Sequence, residues 1–179
     1  MFEAIKNFFR RRKIRKNASP IETGFMPIGK IRRANIIIDV QETGFDELKE
    51  AALAWGRKKG IRTNVYFFDF RKLKKDEQLL TGIDKTFLKK ELSWLGTPSL
   101  EKAAPLLNEE SDLFVSMIDN ADFPIDFLSK CTKAGFKIGR HAYEGDAFDM
   151  IFHGGARDEL RGDVCRIFEG ITEFLEKIK

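Results

Sequence analysis

The stretch Ala34-Asn35-Ile36-Ile37-Ile38-Asp39-Val40 decides the fold of this chain. It is a nearly continuous run of apolar residues rich in β-branched side chains, which is the composition of a strand covered on both faces. Strands of this kind lie in parallel sheets with helices on either side. The run therefore predicts a buried parallel strand in an α/β domain.

The rest of the chain alternates between strand and helix patterns. Further strands are predicted at 63–70, 112–118, 136–140 and 148–152, and helices at 45–59, 122–134 and 160–178. A helix–Lys–Gly–strand junction occurs twice, at 58–63 and 133–137, as in two αβ units of a doubly wound sheet. We predict a three-layer α/β fold, Rossmann-like or flavodoxin-like, with a mainly parallel sheet of about five strands over residues 32–179.

One part of the chain predicts no clear element. The stretch 71–100 begins with a polar run, and its segment 92–98 fits either a short strand or a tight turn.

The positive charge is concentrated at the N-terminus. Residues 1–33 carry a net charge of +8, whereas residues 34–179 carry −4. Residues 2–16 predict a helix in which Phe and Ile side chains precede a basic cluster, and the segment up to residue 31 reads as a linker. The cluster consists of Arg10, Arg11, Arg12, Lys13, Arg15 and Lys16.

Three kinds of partner fit this basic helix. Apolar side chains beside cations suit the anionic face of a membrane, and the same cations suit RNA phosphates. The apolar stripe also suits packing on the body, on another protein or on a second copy of the chain. The sequence leaves these alternatives open.

Several function classes lack their motifs. The segment 24–31 has the spacing Gly-x-x-x-x-Gly-Lys, but an isoleucine follows the lysine and a strand, not a helix, comes next. No Gly-x-Gly-x-x-Gly occurs, and His141, His153, Cys131 and Cys165 lack the spacing of a zinc site. We predict no catalytic set, metal site or cofactor. By elimination we expect a cytoplasmic protein, peripheral at the inner membrane face if the helix binds lipid.

Five polar residues are expected at the carboxyl ends of the strands, where open α/β sheets bind ligands. They are Asp39, Asp69, Asp119, Arg140 and His141. Carboxylates there could accept hydrogen bonds from sugar hydroxyls or hold a cation, whereas the alternative is capping and solvation of βα turns.

The chain resembles a family of small bacterial proteins of unknown function, in which a basic, Phe-containing N-terminal helix precedes one α/β domain. The segments that carry the resemblance are Asn35-Ile36-Ile37-Ile38-Asp39, Leu92-Ser93-Trp94-Leu95-Gly96-Thr97-Pro98, Asp112-Leu113-Phe114-Val115, Lys133-Ala134-Gly135-Phe136-Lys137-Ile138-Gly139-Arg140 and Phe148-Asp149-Met150-Ile151. The resemblance implies a fold but no activity.

An Asp-led strand followed by a helix and then Phe136-Lys137-Ile138-Gly139-Arg140 is similar to the N-terminal lobe of two-lobed glycosyltransferases such as heptosyltransferases. That resemblance implies no catalysis by this chain, because those enzymes hold the nucleotide-sugar mainly on a second lobe, for which this chain has no room. The sequence therefore favours a binding or adaptor protein tethered by its basic helix to an anionic surface or partner. The alternative is a small-molecule binding domain or minor enzyme that takes a nucleotide or sugar phosphate at the strand ends.

Overall fold

The apolar run that begins at residue 34 forms a central strand, as its composition predicts. The computed structural model describes residues 2–72, 79–153 and 163–178, so the predicted helix residues 160–162 lie outside the described residues. The strands within those ranges are β1 Arg33–Asp39, β2 Arg62–Asp69, β3 Thr86–Leu88, β4 Ser111–Ser116, β5 Ala134–Gly139 and β6 Met150–Ile151. The α-helices are α1 Phe2–Asn17, α2 Phe45–Lys59, α3 Leu100–Asn108, α4 Phe123–Cys131 and α5 Val164–Lys177.

The sheet is parallel throughout its six described strands, in the order β3-β2-β1-β4-β5-β6. β1 lies between β2 and β4, so the strand order reverses at the boundary between β1 and β4. This is the order of doubly wound nucleotide-binding folds, and it confirms the predicted α/β class. The additional edge strand, β3, has only three residues, too few to show a periodicity in the sequence.

The sheet has a separate hydrophobic core on each face. Ile36 and Ile38 of β1 pack on one side with residues of α2 and α5. Ile37, which points the opposite way, packs with residues of α3 and α4. Because successive side chains of a strand alternate in direction, one apolar run serves both cores. The result is the predicted three-layer arrangement.

The two Lys–Gly junctions differ. Gly60 ends α2 with φ at 68°, a left-handed conformation that favours glycine, as predicted. The prediction for the second junction is wrong, because β5 already begins at Ala134 and Gly135 lies inside the strand. A Cβ atom on Gly135 would approach Cε of Met26 at 2.8 Å, so the Met26 side chain packs closely over this glycine.

Helix α1 lies along α4. Arg10 Nε donates to the Leu95 carbonyl at 2.8 Å, and its guanidinium lies 4.3 Å from the Phe123 ring centroid. At the other end, the Ser19 N–H donates to the Lys130 carbonyl at 3.1 Å. Phe123 begins α4 and Lys130 lies in its last turn, so the two helices run in the same direction. The first two turns of α1 therefore project past the start of α4, at the carboxyl edge of the sheet.

Candidate functional site

A cleft opens at the carboxyl edge between β1 and β4, where the strand order reverses. Its volume is about 290 Å³. Asp39 at the end of β1 and Asp119 after β4 face it from the two sides of the reversal. The other lining residues are Gln41, Glu42, Thr43, Ile118 and Asn120. Ligand clefts in this class of sheet occupy the same position.

The Asp39 carboxylate is held by its own loop. The Gln41 N–H donates to Oδ1 at 2.8 Å. Partial burial raises the pKa of Asp39 above its ordinary value; the Gln41 hydrogen bond lowers it, and the negative charge of Glu42 raises it again. A carboxylate with a raised pKa is a stronger base and hydrogen-bond acceptor than an exposed aspartate.

Arg140 forms the wall behind the two acidic loops. Its side chain is 6% exposed, and Nη1 donates to the Met117 carbonyl at 2.8 Å and to Glu42 Oε1 at 3.1 Å. Nη2 lies 3.9 Å from Asp119 Oδ2. A planar guanidinium can serve several acceptors at once, so Arg140 links the loop after β1 to the loop after β4.

His141 extends the same cluster outward. Its Nδ1 lies 3.5 Å from Asp119 Oδ1, and its ring centroid is 4.9 Å from that of Tyr143. The Tyr143 hydroxyl donates to the Asn120 carbonyl at 2.8 Å. These contacts position Asp119 between a buried guanidinium and an imidazole.

Asp69 occupies a different setting from the other predicted strand-end residues. Its carboxylate accepts hydrogen bonds from the Arg71 backbone N–H, Nε and Nη2 at 3.2, 2.8 and 2.7 Å. The Arg71 hydrogen bonds lower the pKa of Asp69 against the effect of burial. Of the five predicted residues, only Asp39 and Asp119 line the cleft. Arg140 and His141 join them through their contacts with Asp119, whereas Asp69 pairs with Arg71 instead.

Sequence reasoning did not single out Glu42, Thr43 or Asn120 as site residues. Each lies within four residues of a predicted strand-end aspartate. Their place in the sequence could have identified them, because the first residues of a loop that follows a strand lie at the carboxyl edge of the sheet, beside the strand end.

The second candidate site is the outer face of α1. Residues at spacings of three and four share one helix face, and Ile5, Phe9, Arg12 and Lys16 follow this spacing. Phe2 and Phe8 flank the same face. The exposed fractions of Phe2, Ile5, Phe8 and Phe9 are 67%, 49%, 61% and 40%. The helix therefore presents an apolar first half and a basic second half to solvent on one continuous surface, which we call the α1 outer face.

Some residues of the predicted basic cluster contact the α/β body, and others are exposed to solvent. Arg10 contacts Leu95 and Phe123 of the body. Arg11 forms an exposed ion pair with Glu144 at 3.2 Å, and Lys13 is half-buried. The other exposed members of the cluster are Arg12, Arg15 and Lys16.

A tryptophan that sequence reasoning did not assign to this site extends the α1 outer face. Trp94 is 62% exposed, and its ring centroid lies 6.1 Å from that of Phe9. It belongs to the segment 92–98, which forms a tight turn in which the Gly96 N–H donates to the Ser93 carbonyl at 2.8 Å. No helix in the part of the chain that the structure describes is long and apolar enough to cross a membrane.

Comparison with known proteins identifies a family. The model of a family of unknown function, DUF6913, matches residues 6–160. The chain belongs to the DUF6913 family. This confirms the predicted resemblance to a family of unknown function. A search of curated proteins and a search of solved structures each found no match, so the similarity to two-lobed glycosyltransferases stays a prediction.

The DUF6913 match includes the carboxyl-edge cleft and the whole basic cluster of α1. It begins at residue 6, so Phe2 and Ile5 of the α1 outer face lie outside it. The family description names no activity.

Proposed function

We propose that this protein is a non-catalytic binding or adaptor protein whose α1 outer face attaches the α/β body to an anionic membrane surface. The observation that carries the proposal is the exposure of Phe2, Ile5 and Phe8 on the side of α1 that leads directly to Arg12 and Lys16. Interfacial helices combine apolar and basic side chains in this way, with the apolar ones at the acyl boundary and the cations near lipid phosphates.

Docking of α1 on its own body is compatible with this proposal. Two side chains that contact the body, Arg10 and Ile14, lie on the opposite side of the helix from Ile5 and Arg12. The body thus holds the helix while its outer face remains open. Because α1 projects past the carboxyl edge, its first two turns and Trp94 can reach a bilayer before the sheet does. Tryptophan is enriched at membrane interfaces, which further supports a peripheral position at the inner membrane face.

The proposed attachment is reversible. Each basic side chain near an acidic membrane contributes about 1 kcal/mol, so Arg12, Arg15 and Lys16 together contribute about 3 kcal/mol. Partial insertion of phenylalanine adds to this, since full burial of its side chain is worth about 1.5–3 kcal/mol.

Sedimentation of the full-length protein with vesicles tests the proposal. We expect binding to vesicles that contain phosphatidylglycerol, no binding to phosphatidylcholine alone, and a loss of binding as salt is raised. Phe8→Ser should weaken binding about five- to tenfold, because about 1 kcal/mol of apolar insertion is lost. Leu100→Ser, which removes a similarly exposed apolar side chain from α3, should leave binding unchanged.

Two results would refute membrane attachment. One is the absence of binding to anionic vesicles at low salt. The other is salt-sensitive binding to a single-stranded RNA oligonucleotide that exceeds vesicle binding and is unaffected by Phe8→Ser, because phosphate contacts alone would then account for the basic cluster.

A second candidate function is the binding of a small ligand in the cleft between β1 and β4. The observation that favours it is the convergence of Asp39, Thr43, Asp119 and Asn120 on one opening at the reversal of strand order. Acceptors and amide donors of this kind suit a neutral polyhydroxyl compound such as a nucleoside or sugar. In the ranges that the structure describes, His, Cys, Asp and Glu side chains form no group of three suited to a metal ion.

Thermal unfolding in the presence of adenosine, uridine or glucose tests the cleft. A ligand at 100 times its Kd stabilises the folded state by about 2.7 kcal/mol, which corresponds to a rise in Tm of roughly 5–10 °C for a chain of this size. Asp119→Ala should remove the rise, whereas Asp122→Ala, an exposed neighbour outside the cleft, should keep it. If none of these compounds raises Tm, or if both variants respond like the parent, the cleft does not bind this class.

A further inference from the structure

A buried lysine lies outside both sites described above. Lys137 in β5 is 4% exposed, and its Nζ donates to the Ser129 carbonyl at 2.8 Å. Nζ forms no ion pair with any residue in the described ranges. Ser129 lies in the last turns of α4, so this hydrogen bond satisfies one helix-terminal carbonyl and leaves the other bonding positions of Nζ available.

The acidic groups around Lys137 in the described ranges have other hydrogen-bond partners. The Asp149 carboxylate accepts hydrogen bonds from the backbone N–H of Lys137 and from the Thr23 hydroxyl. Asp126 forms its ion pair with Lys130. Burial raises the pKa of Cys131 to about 12, so this thiol is uncharged at neutral pH. Cys131 of α4 and Asp149 of the loop after β5 act electrostatically on Lys137. Lys130 and Asp146 line the same cavity. Lys13 of α1 lies near Cys131 and acts on that thiol.

Burial favours the neutral amine over the ammonium. It lowers the pKa of Lys137 to about 8, although the negative charge of Asp149 acts in the opposite direction. At pH 7 about one-tenth of such a side chain is free amine, compared with less than about one-thousandth for a lysine of ordinary pKa. Desolvated lysines of this kind act as nucleophiles toward carbonyl compounds.

Lys137 also borders a cavity of about 280 Å³. The cavity lies between the end of α1, the segment that follows it and the loop after β5, and its polar lining includes Ser19, Thr23 and Asp146. This volume is at the lower limit for ligand pockets, roughly 300–1,000 Å³, so it suits a compound of only a few carbons.

We propose that Lys137 is a covalent binding site for a short-chain aldehyde or ketone that enters this cavity. The Nζ lone pair attacks the carbonyl carbon, the nitrogen gives up its two protons, and the carbonyl oxygen takes up two protons and leaves as water. The product is an imine between Nζ and the former carbonyl carbon, with no change of oxidation state. The Ser129 carbonyl orients the amine by accepting a hydrogen bond from one of its N–H groups.

Reductive trapping of the full-length protein tests this site. Glycolaldehyde with cyanoborohydride converts an imine to a stable secondary amine, and mass spectrometry of peptides gives the rate at each lysine. Lys58, exposed on α2, is the internal control. At pH 7 we expect Lys137 to react at least about tenfold faster than Lys58, because its larger free-amine fraction outweighs its lower basicity. Its rate should level off above pH 8, while that of Lys58 should keep rising toward pH 10.

Two results would overturn the proposal: Lys137 reacting no faster than Lys58, or its rate following the pH profile of Lys58. Either would mean that Lys137 serves only to bind the end of α4. Comparing two lysines within one folded protein avoids dependence on a variant. Lys137→Met, checked for an unchanged circular dichroism spectrum, should lose the fast adduct and keep the slow ones.

Discussion

Reversal of three exposed charges of α1, Arg12→Glu, Arg15→Glu and Lys16→Glu together, should reduce binding to phosphatidylglycerol vesicles more than 100-fold. Loss of about 1 kcal/mol per basic residue accounts for about 3 kcal/mol, which is more than two powers of ten in Kd. Repulsion between the new carboxylates and the lipid phosphates adds to the loss. Sedimentation over a range of lipid concentrations measures the change.

The matched control reverses three exposed cations elsewhere, Arg57→Glu, Lys58→Glu and Arg62→Glu. These residues lie at the end of α2 and the start of β2, so they change the net charge equally without touching α1. We expect the control to bind within about threefold of the parent, since a Debye length of about 10 Å at 0.1 M salt screens distant charges. Equal losses in the two variants would assign the binding to overall charge and not to α1.

Replacement of Arg140 by methionine should destabilise the fold by about 2–3 kcal/mol at pH 7. The change removes the donor that the Met117 carbonyl uses and leaves Glu42 and Asp119 without their shared cation. Loss of one partner from a buried ion pair typically costs about 3–5 kcal/mol. We expect less here because Glu42 and Asp119 are 28% and 53% exposed.

Urea unfolding at pH 7 measures this effect. Arg11→Met removes the exposed pair with Glu144 and should cost no more than about 0.5 kcal/mol. A cost for Arg140→Met as small as that of Arg11→Met would show that the guanidinium does not connect the two loops energetically.

The elements that could be predicted are those with a strong local pattern. β1 is buried on both faces and α5 has apolar residues at helical spacing, so their composition alone indicates their type. α3 was missed because Pro105 interrupts its short sequence, and proline normally marks a helix end. The last strand was predicted at 148–152 but extends only over Met150–Ile151, because pairing with β5, and not apolar content, limits it.

The sequence by itself determined the α/β class, the basic α1 and the position of Asp39, Asp119, Arg140 and His141 at strand ends. These follow from short-range periodicity and from the polarity of parallel strands. Only the tertiary structure decided that Arg71 forms an ion pair with Asp69, that Arg10 faces the body while Arg12 faces solvent, and that Lys137 is buried. Such outcomes depend on contacts between residues far apart in the chain or on the packing of whole elements, which no local pattern encodes.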